Sequence, residues 1–404
     1  MEEVDVPPYF LCPISLEIMK DPVTVPTGIT YDRHSIEKWL FSGNNTTCPV
    51  TKQRIQDCEL TPNNNLRRLI QSWCTMNASH GVERIPTPKA SITKSQISHL
   101  LEQSKSRQQR INCLTKFRSI AGEHESNRHC MKSAGASEFL ASMVVEENDE
   151  EEASFSSAMT SNEVALSILY SLQVSETTLK TLANEAFIDA LVKIMRCGSY
   201  ESRAYAVTML KSALEAADSS KLFTLRQPLF VEVVEVLRDQ ISPQASKTAM
   251  QLLISVCQWG RNRMKAVEAN AVNVVIDVLL ETPERRLSEM SLTLLELLCQ
   301  CAEGRAELLN HAAGLAVVSK KILRVSEVGS EKAVKIIASV VRYSATHGVL
   351  QEMLQVGVVA KLCLVLQVGC GKNTKEKAKE ILRLHTKLWK DSPCIPPNLA
   401  FSYP

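Results

Sequence analysis

The stretch FLCPISLEIMKDPVTVPTGITYDRHSIEKWL, residues 10–40, has the outline of a small zinc-binding module but lacks the ligands. A second Cys-Pro motif, CPVTK, follows at residues 48–52. Structural zinc sites draw on Cys and His in closely spaced pairs, usually about two residues apart. Here Ser15 stands where a partner for Cys12 would be needed, and Thr51 holds the same place in the second motif. We therefore expect a module that binds no metal and uses hydrogen bonds where zinc would lie.

Turn and capping residues divide this stretch into a hairpin and a helix. Apolar residues alternate with polar ones after the Asp21-Pro22 turn and again before Asp32, which predicts two short antiparallel strands. Asp32 is then placed to cap a helix that carries Trp39 on its apolar face. Gly43 is placed to end that helix.

A second amphipathic helix is predicted after Asn63. Its apolar residues recur at intervals of three and four positions, at Leu66, Leu69, Ile70 and Trp73. We place the first domain at residues 6–80. Residues 81–96, with two prolines and many hydroxyl side chains, form the predicted linker.

The remainder of the chain, residues 97–390, is helical in pattern and repeats itself. Each repeat but the last contains a second apolar helix after the first, and about seven units can be counted. A period of 41 to 45 residues with paired helices is typical of an α-solenoid of the armadillo or HEAT type. A single irregular helical domain is the alternative, but it would not keep one register. Equivalent apolar residues are Ile168, Met209, Leu252, Leu294, Ile336 and Ile381.

Two segments depart from the repeat pattern. Residues 146–163 are acidic, serine-rich and non-periodic, which predicts a loop inserted into the array. Residues 391–404 are too rich in proline to continue the solenoid and are predicted to form a C-terminal tail.

Composition restricts the class of protein. The formal net charge of +2 argues against nucleic acid as the main partner. No stretch approaches the roughly 18 to 20 apolar residues of a membrane span, and the acidic start lacks the apolar core of a signal peptide. The thirteen cysteines are scattered without a regular framework, which suits a reducing compartment. We expect a cytoplasmic location, with a nuclear one also open.

The sequence contains no motif for a separate enzyme or a cofactor. A Gly-rich phosphate loop, an H-E-x-x-H pair and a G-x-S-x-G elbow are all absent. Cys12 and Cys48 precede prolines in core-forming loops, where a buried structural thiol is expected rather than a catalytic one. No cofactor and no catalytic nucleophile are predicted.

Three segments of the first domain together resemble a U-box, the zinc-free relative of the RING finger found in ubiquitin ligases. They are PPYFLCPISLEIMKDPVTVPTGITYDRHSIEKWL, CPVTKQ and LTPNNNLRRLIQSW, within residues 6–78. A U-box joined to armadillo repeats is similar to plant U-box/armadillo ubiquitin ligases, including some linked to stress and immune signalling. The expected fold is mainly α, with a small zinc-free RING-like α+β U-box followed by an armadillo-type α-solenoid.

The resemblance also implies a docking site for a ubiquitin-conjugating enzyme charged with ubiquitin as a thioester. It places Cys12 and Ile14 in a first loop, Trp39 on a central helix and Pro49 in a second loop as contacts. Lys52 falls where many relatives carry an arginine that bridges the conjugating enzyme and ubiquitin. The alternatives are that Trp39 belongs to the core and that Lys52 is a solvated surface residue. The residues expected to be structural are Ser15, Asp21, Pro22, Cys48 and Thr51.

The implied activity is that of an E3 ubiquitin-protein ligase without a nucleophile of its own. The U-box would recruit the charged conjugating enzyme, the armadillo groove would hold the protein substrate, and a U-box-mediated homo-oligomer is a further expectation. Such catalysis is mostly proximity and orientation. Two other classes remain, namely a non-catalytic scaffold with an inactive U-box and a cargo-binding solenoid to which the U-box is only an appendage.

Overall fold

The computed structural model describes residues 5–43, 45–55, 60–88, 92–106, 109–146 and 160–389. Contacts between Cα atoms divide the chain into two compact units. The first comprises residues 1–140 and 171–173, and the second comprises residues 141–170 and 174–404. Most of the predicted insert and all of the predicted tail lie outside the described residues.

The first unit begins with a three-stranded antiparallel sheet of order β2-β1-β3. Its strands are β1 (Pro22–Thr24), β2 (Thr30–Asp32) and β3 (Thr61–Pro62). Val23 lies opposite Tyr31, and both side chains are fully buried. The predicted hairpin is confirmed. Val23 and Val25 are buried on either side of the less buried Thr24, which explains why the alternation was visible in the sequence.

The helix after the hairpin changes its geometry in the middle. Helix α1 (Arg33–Glu37) passes into a π-helical turn at Lys38–Ser42. Gly43 ends this turn as predicted. A Cβ at this position would lie 2.8 Å from the carbonyl oxygen of Trp39, which explains why the residue is glycine. Asp32 lies at the N-cap position of α1 as predicted, but its side chain makes no capping hydrogen bond. Its carboxylate instead accepts the backbone N–H groups of Lys20 and Asp21, at 2.8 and 3.0 Å.

Helix α2 (Asn64–Met76) begins directly after Asn63, as predicted. The side chain of Asn63 accepts the N–H of Leu66 at 3.1 Å. Ile70 is buried, but Leu69, predicted to lie on the same face, is 58% exposed. At about 100° per residue, the face centred on Ile70 leaves its immediate neighbour turned away from the core.

The predicted linker is not detached from the first domain. Val82 and Ile85 pack against the hydrophobic core of that domain, and Gln71 of α2 donates to the carbonyl of Ile85 at 3.2 Å. Residues 89–91 lie outside the described part of the chain.

The rest of the described chain is helical, and each repeat of the second unit has three helices rather than two. A short helix lies between the first and second helices of each predicted pair, and the triplets begin at α8, α11, α14, α17 and α20. The third helices α10, α13, α16, α19 and α22 pack side by side in that order. The helices are α3 (Lys94–Ser104), α4 (Arg110–Glu123), α5 (Glu125–Ser133), α6 (Ala136–Val145), α7 (Ser161–Ser171), α8 (Glu176–Leu182), α9 (Glu185–Cys197), α10 (Tyr200–Ala216), α11 (Ser219–Leu222), α12 (Gln227–Arg238), α13 (Pro243–Val256), α14 (Gly260–Glu268), α15 (Ala271–Glu281), α16 (Arg285–Leu298), α17 (Ala302–Asn310), α18 (Gly314–Lys321), α19 (Glu327–Tyr343), α20 (His347–Gln355), α21 (Val358–Gln367), α22 (Lys372–Leu384) and α23 (Thr386–Trp389).

The register predicted from the repeats is confirmed. All six equivalent apolar residues are buried, and each lies on a third helix, or on α7 in the case of Ile168. Among the described residues, no single helix has both the length and the apolar composition to cross a bilayer. In the described part of the chain, helices α20 and α21 reach that length and composition only when taken together, and that pair is bent by 64°.

Candidate functional site

Two loops of the first domain have the same backbone geometry. Loop 1 comprises residues 12–17 and loop 2 comprises residues 48–53. In loop 1 the N–H of Cys12 donates to the carbonyl of Glu17, and the N–H of Leu16 donates to the carbonyl of Cys12, both at 2.8 Å. The same two bonds recur at the same spacing in loop 2, at 2.8 and 2.9 Å. The two Cys-Pro motifs therefore build one structure twice.

Each loop contains a residue in the left-handed region at its fifth position. The φ angles are 59° for Leu16 and 61° for Lys52. Non-glycine residues adopt this conformation rarely, and it persists where the surroundings enforce it. Each loop is closed by an isolated antiparallel bridge, Leu11–Ile18 for loop 1 and Thr47–Arg54 for loop 2.

In loop 1 a buried sulfur atom serves as the anchor. The Sγ atom of Cys12 accepts the backbone N–H of Asp32 at 3.3 Å. Burial alone would raise the pKa of the Cys12 thiol, but the N–H groups of Ser15, Asp32 and Ile14, with the Ser15 hydroxyl, outweigh it and hold that pKa below its usual value. The prediction that Cys12 contacts a conjugating enzyme is wrong, because its side chain is completely buried.

In loop 2 the sulfur of Cys48 has the corresponding role. It lies 3.0 Å from the hydroxyl of Tyr31 and 3.3 Å from the hydroxyl of Thr27. Burial raises the pKa of Cys48, but hydrogen bonds from the hydroxyls of Thr27, Thr51 and Tyr31 lower it to about 6. Burial, and then the bond to Cys48, raise the pKa of Tyr31. Hydroxyl groups that converge on the buried sulfur thus hold loop 2 by hydrogen bonds.

The other predicted structural residues tie the sheet to the helices. Asp21 accepts a hydrogen bond from Nε of Arg33 at 2.5 Å, and Arg33 Nη1 lies 3.6 Å from a carboxylate oxygen of Glu37. Pro22 opens β1, and its carbonyl accepts the N–H of Asn63 at 2.8 Å. Within the described residues, no three His, Cys, Asp or Glu side chains are grouped so as to hold a metal ion.

Three of the predicted contact residues, Ile14, Trp39 and Pro49, are partly exposed. Trp39 is partly buried, and its indole N–H donates to the carbonyl of Thr47 at 2.8 Å, which fixes the π-helical turn to the segment before loop 2. Trp39 and Ile14 pack against the core and keep part of their surface exposed. The interpretation of Trp39 as a core residue is therefore confirmed, and its contact with a conjugating enzyme stays a prediction.

The structure adds two residues that the sequence analysis missed. Leu16 is 74% exposed and Val50 is 51% exposed, so both loops present an aliphatic side chain to solvent. The sequence contained a signal for Val50, because both loops begin with the pattern Cys-Pro-aliphatic-hydroxyl. This pattern makes Val50 the counterpart of Ile14, a predicted contact. Leu16 is likewise the counterpart of Lys52, which is exposed.

This geometry defines a class of protein, namely a zinc-free RING-like module whose loops are held by hydrogen bonds, followed by three-helix repeats. Comparison with protein families agrees with it. The model of the U-box domain matches residues 6–79, and that of the plant U-box protein ARM repeat region matches residues 96–404. The chain belongs to the plant U-box proteins with an ARM repeat region, and the fold predicted from the sequence is confirmed.

Full-length relatives are known from Arabidopsis thaliana. The chain is 56% identical over 411 residues to the E3 ubiquitin-protein ligase PUB23, covering 100% of this chain and 98% of that protein. It is 53% identical over 432 residues to the E3 ubiquitin-protein ligase PUB22, covering 100% and 99% respectively. A structure solved in a study of cadherin and beta-catenin matches with a TM-score of 0.57 at 14% identity, covering 81% of this chain and 58% of that one. That last likeness concerns the fold alone.

Proposed function

We propose that this protein is an E3 ubiquitin-protein ligase that receives a ubiquitin-charged conjugating enzyme on its U-box and directs ubiquitin to lysines of a protein substrate. The observation that carries the proposal is the pair of equivalent loops with exposed aliphatic side chains, the second of which adjoins Trp39 through the hydrogen bond to Thr47. Full-length relatives named as ubiquitin ligases support it.

The proposed docking surface consists of side chains on backbone that is already ordered. Apolar residues on a rigid support, around an aromatic anchor, have the composition of an interaction hot spot. Since the loops are fixed by backbone hydrogen bonds and buried sulfur, little conformational entropy is lost on binding. The residues of this surface are Ile14, Leu16, Trp39, Pro49 and Val50.

Lys52 is the proposed clamp between the conjugating enzyme and ubiquitin. It is exposed, and the left-handed backbone at its position fixes where its side chain leaves loop 2. An ammonium group supplies a point charge rather than the bidentate fork of a guanidinium group. We therefore infer a clamp that restrains the thioester less firmly than an arginine would.

The ligase supplies orientation rather than a nucleophile. Cys12 and Cys48 are buried, and burial raises the pKa of Cys257 and Cys299 to about 12. In the proposed reaction the amine of a substrate lysine attacks the thioester carbonyl. A C–N bond forms, the C–S bond breaks, the amine loses a proton, and the thiol remains on the conjugating enzyme. Such a step depends on proximity and alignment.

The substrate is proposed to bind along the third helices of the repeats. A groove of about 640 Å³ along α19 and α22 is lined by side chains of both charge signs, which suits a polar protein segment. We also propose a cytoplasmic or nuclear location and a role in plant stress or immune signalling, which imaging of a tagged protein and a loss-of-function line would test.

A homo-oligomer formed through the U-box is a further proposal. Leu69 and Met76, on α2, are 58% and 73% exposed, and they are two turns apart on the same helix. Exposed apolar residues in this arrangement offer a face for a second copy. Light scattering that finds only monomer across a wide concentration range would exclude it.

A discharge assay tests the central proposal. A conjugating enzyme is loaded with ubiquitin, loading is quenched, chelator is added, and loss of the thioester to free lysine is followed with and without the full chain. We expect acceleration that survives chelator and is lost in Trp39→Ala and in Val50→Asp, with His34→Ala as an exposed control on the same helix. No acceleration with several conjugating enzymes would favour the scaffold.

A further inference from the structure

Helix α5 is capped by a residue from the U-box. Its own N-cap residue, His124, makes no side-chain capping hydrogen bond. Instead, Oε2 of Glu37 accepts the N–H of Glu125 at 3.0 Å, across 88 positions of the chain. A carboxylate at this place satisfies an otherwise unpaired donor and interacts favourably with the helix dipole. All of these residues belong to the first compact unit.

Glu37 is itself fixed by buried charge. It is 5% exposed, and its other carboxylate oxygen faces Arg33, which in turn binds Asp21 of the segment before β1. Buried ion pairs contribute little net stability, because desolvation offsets most of their attraction, but they can specify one arrangement. Successive contacts from Asp21 to Arg33, from Arg33 to Glu37 and from Glu37 to the backbone of Glu125 thus connect the sheet to the first residue of α5.

A second contact lies further along the same helix. The ring of Phe41, in the π-helical turn, stacks on the ring of His129 of α5, with centroids 5.2 Å apart and planes at 26°. Phe41 is two residues from Trp39, and His129 is four residues from Glu125. The two contacts lie about one helical turn apart, both on the U-box helix (α1 with its π-helical turn) and on α5. Together they restrict a rotation of α5 relative to the U-box helix that either contact alone would permit.

We propose that Glu37, Phe41 and His129 are positioning residues for ubiquitin transfer. They fix the orientation of the U-box helix, and hence of a conjugating enzyme bound at Trp39, relative to the first helices after the linker. This orientation determines which lysines receive ubiquitin. The proposal rests on the proposed docking of the enzyme at Trp39. Its physical basis is that small displacements of a reacting group lower the rate of an oriented reaction steeply.

The test uses the full chain and separates docking from positioning. Glu37→Ala combined with Phe41→Ala is compared with wild type in two assays, namely discharge onto free lysine and mass-spectrometric mapping of ubiquitin on the lysines of the chain itself. We expect discharge onto free lysine within about twofold of wild type, because a small acceptor needs no defined direction. Ubiquitin on the lysines preferred by wild type should fall at least about fivefold and shift to others.

Two matched variants separate the effect of the capping contact from that of a general change in the helix. Glu37→Gln retains an oxygen that can accept the N–H of Glu125, so its map should lie closer to wild type than that of Glu37→Ala. His34→Ala, an exposed change on α1, should alter neither assay. An unchanged map in the double variant would overturn the proposal, as would an equal loss in both assays, which would indicate a purely structural role. Failure of wild type to discharge onto free lysine would instead count against the proposed function.

Discussion

At the scale of single residues, two buried sulfur atoms organise the loops that a metal organises in zinc-binding modules. A structural zinc ion stabilises such a fold by on the order of 10 kcal/mol. Single hydrogen bonds contribute about 1 kcal/mol net, and those to a charged group about 1.5 to 3 kcal/mol. The convergence of Thr27, Tyr31 and Thr51 on Cys48 therefore has the largest effect when the sulfur is ionised. This makes the stability of the module dependent on pH.

We predict that Cys48→Ser destabilises the protein more at pH 9 than at pH 6. The pKa of the Cys48 thiol is lowered from 9.0 to about 6 by folding, so the unfolded chain binds the proton more tightly and stability rises with pH in this window. The contribution is complete above about pH 9 and is lost as pH falls through about 6. Thermal unfolding of both proteins at the two pH values measures the difference.

The control for this prediction is Cys197→Ser, because Cys197 is exposed. Its effect on the unfolding midpoint should be small and equal at both pH values. Equal destabilisation by Cys48→Ser at pH 6 and pH 9 would show that the thiol of Cys48 stays neutral in the folded protein.

At the scale of elements, buried polar side chains on the first helix of a repeat bind the end of the preceding third helix. Asn262 of α14 donates to the carbonyl of Val256 at 3.0 Å and to that of Leu222 at 2.8 Å. Arg305 of α17 donates to the carbonyl of Cys299 at 3.0 Å. The last carbonyls of a helix lack partners within that helix, so these side chains satisfy groups that would otherwise be buried unpaired.

We predict that Asn262→Ala lowers the free energy of unfolding by about 1 to 3 kcal/mol, since it leaves two carbonyl oxygens without their donor. The side chain is completely buried, so water does not replace the lost bonds without local opening. Urea unfolding measures the change. Asn373→Ala, an exposed change at the start of α22, should have an effect near zero, and equal effects of the two would refute the assignment.

At the scale of the whole molecule, the U-box presents a rigid surface and the repeats present rows of third helices. Among the described cysteines, Cys12 and Cys48 have lowered pKa values but are completely buried, and burial raises the pKa of Cys257 and Cys299. In the proposed mechanism, the rate depends on how firmly the charged enzyme is held. Lys52, the proposed clamp, is exposed, so it can be substituted without disturbing the core.

We predict that Lys52→Arg raises the rate of discharge onto free lysine by roughly threefold, which corresponds to less than about 1 kcal/mol of transition-state stabilisation. The reason is that a guanidinium group binds two acceptors in fixed geometry, whereas an ammonium group does not. Lys52→Glu should lower the rate below wild type. If both variants match wild type in the single-turnover assay, Lys52 is a solvated residue rather than a clamp.

The amount that sequence could reveal differs among these features. The register of Ile168 and Leu252 was visible because burial of a helix face repeats with the helix period, which is a local property. The short helices α11 and α14 escaped notice because they contribute few apolar residues to any periodic pattern. Asp32 matched the residue type of a helix cap, but its carboxylate binds Lys20 and Asp21 instead, since a non-local partner was available.

The sequence by itself determined the hairpin and the period of the repeats, because these follow from residue spacing along the chain, and the resemblance of its motifs to a U-box indicated the family. Only the tertiary structure decided that Leu16 and Val50 are exposed and that Glu37 caps α5. Each of the latter depends on which distant segments meet. Spacing describes how a segment folds on itself, whereas burial and capping across 88 positions depend on contacts that spacing does not encode.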